Sequence, residues 1–328
     1  MKRWLAALLL FLCACAAPVK TEPAVLASLE PTALPTAVQT PTPSFSPSPA
    51  PTSEPTAIPT PEPTPVRLLG DRFADMFSDV PIQTETSYKS KNIGIELRTV
   101  QLLNAYGRRR LVYYVADIYV QDVTLIRTEP AVDFTGRDMI APEIIVERVG
   151  ALLAINGDTF GRTHRGLVIR NGVLYRNLRI NEKDLCVLYR DGRMETFAYN
   201  GYTMQTVIDS DPWQVWNFGP QLLDRDGKAI TDFSYEDERL WIAHPRTAIG
   251  YYEPGHYCFV VVDGRQPDFS EGINLVNFAK LMEDLGCVRA YNLDGGGSSV
   301  LFWDGKLINR RSDSTRTNSD IIYLLPEE

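Results

Sequence analysis

Only three of the 328 residues are histidine, His164, His244 and His256, and no two are spaced as His-x3-His. No Cys-x2-Cys pair occurs either, so a zinc site is not expected. No calcium-loop spacing is visible, although the Asp-rich loops leave calcium open. Basic excess is absent too. With 33 Lys and Arg against 41 Asp and Glu, the net charge is −8 and the pI near 5.1, which argues against a nucleic-acid partner. Beyond the N-terminus no run of 18 apolar residues exists, so any membrane attachment must be N-terminal. No repeat with a period of 20–50 residues is found, which excludes solenoids and propellers.

What the chain does have is strongly partitioned. Residues 1–15, "MKRWLAALLLFLCAC", place Lys2 and Arg3 before an apolar segment that ends at Cys15. This is the layout of a secretory signal, and "LCAC" matches a bacterial lipobox with Cys15 as the acylated residue. Residues 16–66 hold 14 of the 23 prolines together with many threonines and serines. Such a segment buries too little apolar area to offset the entropy of ordering it, so it is expected to stay disordered and extended, as a stalk. Residues 67–328 are then one domain with a full core, held outside the cytoplasm by an N-terminal lipid. Its thiols, Cys186, Cys258 and Cys287, lie in apolar stretches. Three cannot all pair within one chain, which favours buried free cysteines with room for one disulfide.

Within that domain, "IGIELRTVQL" and "RRLVYYVADIYV" read as a hairpin, and Asn-Gly and Asp-Gly turns in 166–176 and 186–197 predict two more. "TAIGYYEPGHYCFVVVDG" gives another strand pair. Helices are expected at 141–151 and 274–286, the second ending at Gly286. Strands dominate and helices are few, so the expected class is α+β, a single strand-rich domain with a mixed β-sheet.

Four strand ends run directly into polar or glycine residues: "AINGDTF", "HPRTAIG", "VVVDGRQ" and "YNLDGGGSS". A rigid scaffold offers reactive groups to a ligand at such places. The last stretch poses the sharpest question, because three glycines in a row forfeit packing and add backbone entropy. It has neither the Walker nor the dinucleotide spacing, nor that of a G-x-S-x-G elbow. One reading is a tight turn where elements pack closely. The other is an anion cradle, in which Gly295, Gly296 and Gly297 present backbone amides, Ser298 and Ser299 add hydroxyls, and Asp294 stands at the rim. Arg246, Arg265 and Arg316 are the cationic candidates beside it. His244 either lines the same site or is a hydrogen-bonded structural histidine.

On these stretches, with "NFGPQLLDRDGK" and "STRTNSDIIYLL", the chain resembles the phosphodiester glycosidase family over roughly residues 90–326. The resemblance implies hydrolysis of the bond between a sugar's anomeric carbon and a phosphodiester. It carries Asn156, Asp158, Arg246, Thr247, Asp263, Arg265, Asp294, Gly295, Gly296, Gly297, Ser298, Ser299 and Arg316 into the site, with Asp294, Asp263 and Asp158 as catalytic carboxylates and no cofactor. With a lipobox and stalk, the expected substrate is a phosphodiester-linked glycan of the envelope. A non-catalytic phosphoglycan-binding lipoprotein and an exopolysaccharide assembly factor are the competing readings. If Cys15 carries the lipid, Cys15→Ala should move the protein from the membrane fraction to the medium or periplasm and abolish labelling by a fatty-acid probe. Unchanged labelling would reject the anchor.

Overall fold

Period-two burial organises the structure, and one strand shows it plainly. Along Arg108–Val120, Val112, Tyr114, Ala116, Ile118 and Val120 face one apolar cluster, while Leu111, Tyr113 and Val115 face another. A sheet buried on both faces needs covering on both, and the fold supplies it. The computed structural model describes residues 67–163, 165–178, 183–236 and 238–327. The signal, the stalk, Cys15 and His164 lie outside the described residues.

Three antiparallel sheets build the domain. The first runs, in spatial order, Ile82–Gln83, Ser87–Lys89, Ile93–Ala105, Arg108–Val120, His256–Val262, Arg246–Glu253 and Arg289–Asn292. The second runs Met194–Phe197, Leu185–Tyr189, Pro212–Trp216, Gly166–Arg170 and Val173–Leu178. The third runs Lys306–Leu307, Leu301–Trp303, Leu153–Asn156, Asp320–Leu324 and Arg127–Pro130. All three contribute to one core, with Ile118 and Phe259, Leu188 and Trp216, and Ile155 and Ile322 among its members. Helix Leu275–Asp284 packs Phe278 and Met282 on the outer face of the first sheet. Helix Pro142–Val149 packs Ile145 and Val146 on the third.

The expected hairpins form, but the expected mixed sheet does not. Every strand pairing among the described residues is antiparallel, and the domain is mostly β with few helices, so α+β fits only loosely. The reason lies in the crossover through helix Leu275–Asp284. It joins strands His256–Val262 and Arg289–Asn292, which run the same way, but Arg246–Glu253 lies between them and pairs antiparallel with both. The parallel relation therefore exists without a parallel ladder.

Cys186, Cys258 and Cys287 are buried free thiols, and the Sγ atoms of Cys258 and Cys287 approach to 3.7 Å. They meet over Gly250, where a Cβ would stand 2.6 Å from the Cys258 sulfur, 2.7 Å from the Cys287 sulfur and 2.8 Å from Met282 Cε. Gly250→Ala should therefore overpack this face and destabilise the domain by roughly 1–3 kcal/mol. The measurement is the urea midpoint, and an unchanged midpoint would show that the sulfurs give way freely.

Candidate active site

The glycine run is a crossing point between sheets. The chain leaves the first sheet at Asn292 and enters the third at Leu301, and the intervening turn contains a short 3-10 segment, Gly296–Ser298. Each glycine permits a close approach. A Cβ on Gly295 would lie 2.9 Å from the Pro245 carbonyl oxygen, and one on Gly297 would lie 2.9 Å from Asp313 Cβ. Gly296 is left-handed (φ +66°), with Arg265 Nη2 3.0 Å from its Cβ position. Two of the turn's three glycine amides are engaged. Gly296 N–H donates to Pro245 O at 2.8 Å, and Gly295 N–H points to the Asp294 carboxylate. Close packing is thus one requirement these glycines meet, and it sets Gly295 against Arg246 and Gly296 against Arg265.

Asn156 holds this turn. Its Nδ2 donates to Asp294 O (2.7 Å) and Gly157 O (3.1 Å), while Oδ1 accepts from Thr247 Oγ1 (2.9 Å) and Val300 N (3.2 Å). Asn156 and Thr247 are fully buried, so both brace the site from behind. Ser298 extends the support. Its hydroxyl bonds Asp294 and accepts from Arg316 Nε at 3.1 Å, which links the distant Arg316 to the carboxylate. Ser299 is buried with no hydrogen-bond partner for Oγ among the described residues.

Asp294 reaches a cavity of about 460 Å³ whose wall also includes Lys183, Phe218, Leu240, His244, Arg246, Arg265, Asn292, Gly295 and Gly296. Burial pushes its carboxyl above the usual range, opposed by the Ser298 hydrogen bond and the charges of Arg316 and Arg162. Among the described lining residues Asp294 is the only carboxylate. Arg246 is 2% exposed and donates to the carbonyls of Ile273, Leu240 and Ile242, with no ion pair to a described carboxylate. Desolvation, reinforced by Arg265, lowers its pKa to about 10. A buried cation without a carboxylate beside a cavity is what an anionic ligand would neutralise. Arg265 donates from Nε to His244 Nδ1 at 3.3 Å, and Lys183 pairs with Glu236 at 2.7 Å. Lys183, Phe218 and Asn292 were not among the sequence candidates. Sequence signals existed for two of them: Asn292 stands two residues before Asp294, and Phe218 lies in the stretch "NFGPQLLDRDGK".

The other two expected catalytic carboxylates lie off the cavity. Asp263 ends strand His256–Val262, where it accepts from Asn309 Nδ2 and Arg310 N, each at 2.9 Å, and from Tyr114. Burial raises its pKa, and these bonds oppose the rise. Its geometry is that of a brace for residues 309–310. Asp158 accepts from Phe160 N at 3.0 Å and pairs with fully buried Arg170 at 2.9 Å. Arg170 also reaches Asp320 Oδ2 at 3.2 Å, so two carboxylates share one cation.

Asp320 was not singled out from sequence, because only the fold brings it to Arg170 across 150 residues. Burial raises its pKa to about 8, with Arg170 opposing and the charges of Asp158 and Asp294 adding to the rise. An unfolded Asp320 ionises near its ordinary 3.8, whereas the folded one holds its proton to about 8. This group's contribution to stability is therefore greatest in acid and falls as pH rises from about 4 to about 8. Asp320→Asn should flatten the decline of Tm across that interval. Melts of variant and wild type that run parallel from pH 4 to 8 would contradict this.

Comparison with known proteins adds the lineage. The sequence model of the phosphodiester glycosidase family matches residues 149–325, just over half the chain and all of the candidate site residues. The SPbeta prophage-derived uncharacterized protein YomE of Bacillus subtilis (strain 168) is 32% identical over 174 residues, 52% of this chain and 27% of YomE. The Bos taurus N-acetylglucosamine-1-phosphodiester alpha-N-acetylglucosaminidase is 37% identical over 73 residues, 22% of this chain and 14% of its own. The chain thus matches only a minor part of either relative's length. In structure it is similar to the zebrafish N-acetylglucosamine-1-phosphodiester alpha-N-acetylglucosaminidase catalytic domain, with a TM-score of 0.60 and 21% identity over 73% of this chain and 85% of that one. A hypothetical protein from Synechocystis gives a TM-score of 0.53 at 14% identity, over 71% and 62% of the two chains. At these identities the structural likeness concerns the fold, whereas the match of the sequence model shows the lineage: this chain belongs to the phosphodiester glycosidase family.

Proposed function

We propose that this protein hydrolyses the bond between a sugar's anomeric carbon and a phosphodiester in an envelope or extracellular glycan, from a lipid anchor at Cys15. The observation that carries this reading is one cavity whose wall holds a single described carboxylate, Asp294, together with Arg265 and the buried cation Arg246, which bonds carbonyls and no described carboxylate. The sugar leaves through an oxocarbenium-like state, and Asp294 supplies the negative charge beside it. The electron pair of the breaking C–O bond passes to the phosphodiester oxygen, water forms the new bond at the anomeric carbon and gives up a proton to Asp294, and the departing phosphate monoester is held by Arg246 and Arg265. A phosphate leaves with less protonation than an alkoxide, so a second carboxylic acid in the cavity is not demanded. The lipobox and the stalk favour a cell-surface glycan over a soluble substrate.

A synthetic N-acetylglucosamine-1-phosphodiester tests the chemistry. Asp294→Asn should fold like wild type and lose roughly 10²–10⁴-fold in kcat. Arg265 is exposed, so Arg265→Ala should leave stability intact and weaken dimethyl phosphate binding by roughly 1.5–3 kcal/mol. Wild-type binding without turnover would favour the non-catalytic phosphoglycan-binding reading. Turnover that survives Asp294→Asn would remove Asp294 from the chemistry.

A further inference from the structure

Asn292 is 1% exposed, lies on the cavity wall, and has a side-chain oxygen with no hydrogen-bond partner among the described residues. Its orientation is set chemically. Nδ2 donates to Gly219 O at 2.9 Å, and a flipped amide would press two acceptors together. Its own N–H donates to Pro220 O at 3.0 Å, so backbone and side chain are both pinned to one segment. Buried acceptors are rarely left unmet, because burial removes the water that would otherwise satisfy them. Around the cavity, the side chains of Lys183, Arg246 and Arg265 are donors that suit an anion. Besides Asp294 and His244, whose Nδ1 accepts from Arg265, Asn292 is the described residue on that wall whose side chain carries an acceptor, and its Oδ1 is unmet.

We infer that Asn292 determines specificity by accepting a hydrogen bond from a ring hydroxyl or acetamido N–H of the sugar that carries the phosphodiester. This rests on the reading given under Proposed function and extends it to the sugar. Asn292 ends its strand and Asp294 lies in the bend two residues on, which keeps their Cα atoms within about 7 Å of each other, and both line the same cavity. With Asp294 at the anomeric carbon, Asn292 therefore falls within the span of the same pyranose ring. The cavity sorts its ligand accordingly, with phosphate oxygens toward the arginines and a sugar donor toward Asn292. A sugar lacking that donor would leave the acceptor unmet, which is the strongest form of discrimination that a polar pocket offers.

The test is a binding cycle read by calorimetry on the full domain. The probes are methyl N-acetylglucosamine-1-phosphate diester, its glucose counterpart, their 3-, 4- and 6-deoxy analogues and dimethyl phosphate, each against Asn292→Ala, Asn292→Leu and the protein with Asn292 in place (here called wild type), all three carrying Asp294→Asn so that no probe is hydrolysed. One probe lacking a single donor should bind wild type at least about tenfold more weakly than its parent, and the difference should vanish in both variants. The glucose arm separates an acetamido donor from a hydroxyl. Dimethyl phosphate should bind all three proteins alike, which shows that the variants keep a folded anion site. Donor penalties that persist in the variants would overturn the assignment. Binding of dimethyl phosphate but of no sugar probe would overturn it while leaving the anion site standing. Failure of wild type to bind dimethyl phosphate would overturn the proposed function as well.

Discussion

One buried amide organises the site. Asn156 ends a strand of the third sheet, receives the hydroxyl of Thr247 from the first, and bonds both ends of the turn that joins them, at Asp294 and Val300. Both of its donor hydrogens and its acceptor oxygen are engaged, which suits a side chain with no access to water. No other uncharged side chain of this length offers two donors and an acceptor in so small a plane. Because Asn156 holds the main chain of Asp294 and not its carboxylate, it places the reactive group without neutralising it.

The charges divide in a matching way. Behind the turn, Arg170 lies between Asp158 and Asp320, and this buried trio holds more acid than base. At the cavity the balance reverses, with Arg246 and Arg265 facing a single carboxylate. A buried cation satisfied only by carbonyl oxygens keeps its attraction for an incoming anion, whereas one already bound to carboxylates has spent it. The two arginines differ in partner, not in depth, and that difference separates a structural charge from a receptive one.

Much of this was legible in the sequence because it is local. Asn-Gly and Asp-Gly turns announced the hairpins, and the strand-end motifs led to Asp294, Arg246 and Arg265 at one cavity. What stayed hidden depends on pairing at a distance. Asp263 has the same local appearance as Asp294, an acid at a strand end before a glycine, yet Asn309, Arg310 and Tyr114 occupy its carboxylate. The close approaches that the glycines permit were hidden as well, because their neighbours, Pro245, Arg265 and Asp313, are remote in sequence. Arg170 and Asp320 were invisible for the same reason. A mixed sheet was expected from the mixed order of strands and helices, but a strand inserted from earlier in the chain separates the two that run the same way.

The order of the first sheet bears on what counts as a unit of inheritance. The family match begins at residue 149, but strand His256–Val262, inside the match, pairs along its full length with Arg108–Val120, outside it. Ser270 and Asp263 add further bonds to Val112. A gene fragment encoding only the matched segment would present the His256–Val262 edge bare, with its row of amides and carbonyls open to any passing strand. The shared segment is thus smaller than the part that can fold without sticking to itself.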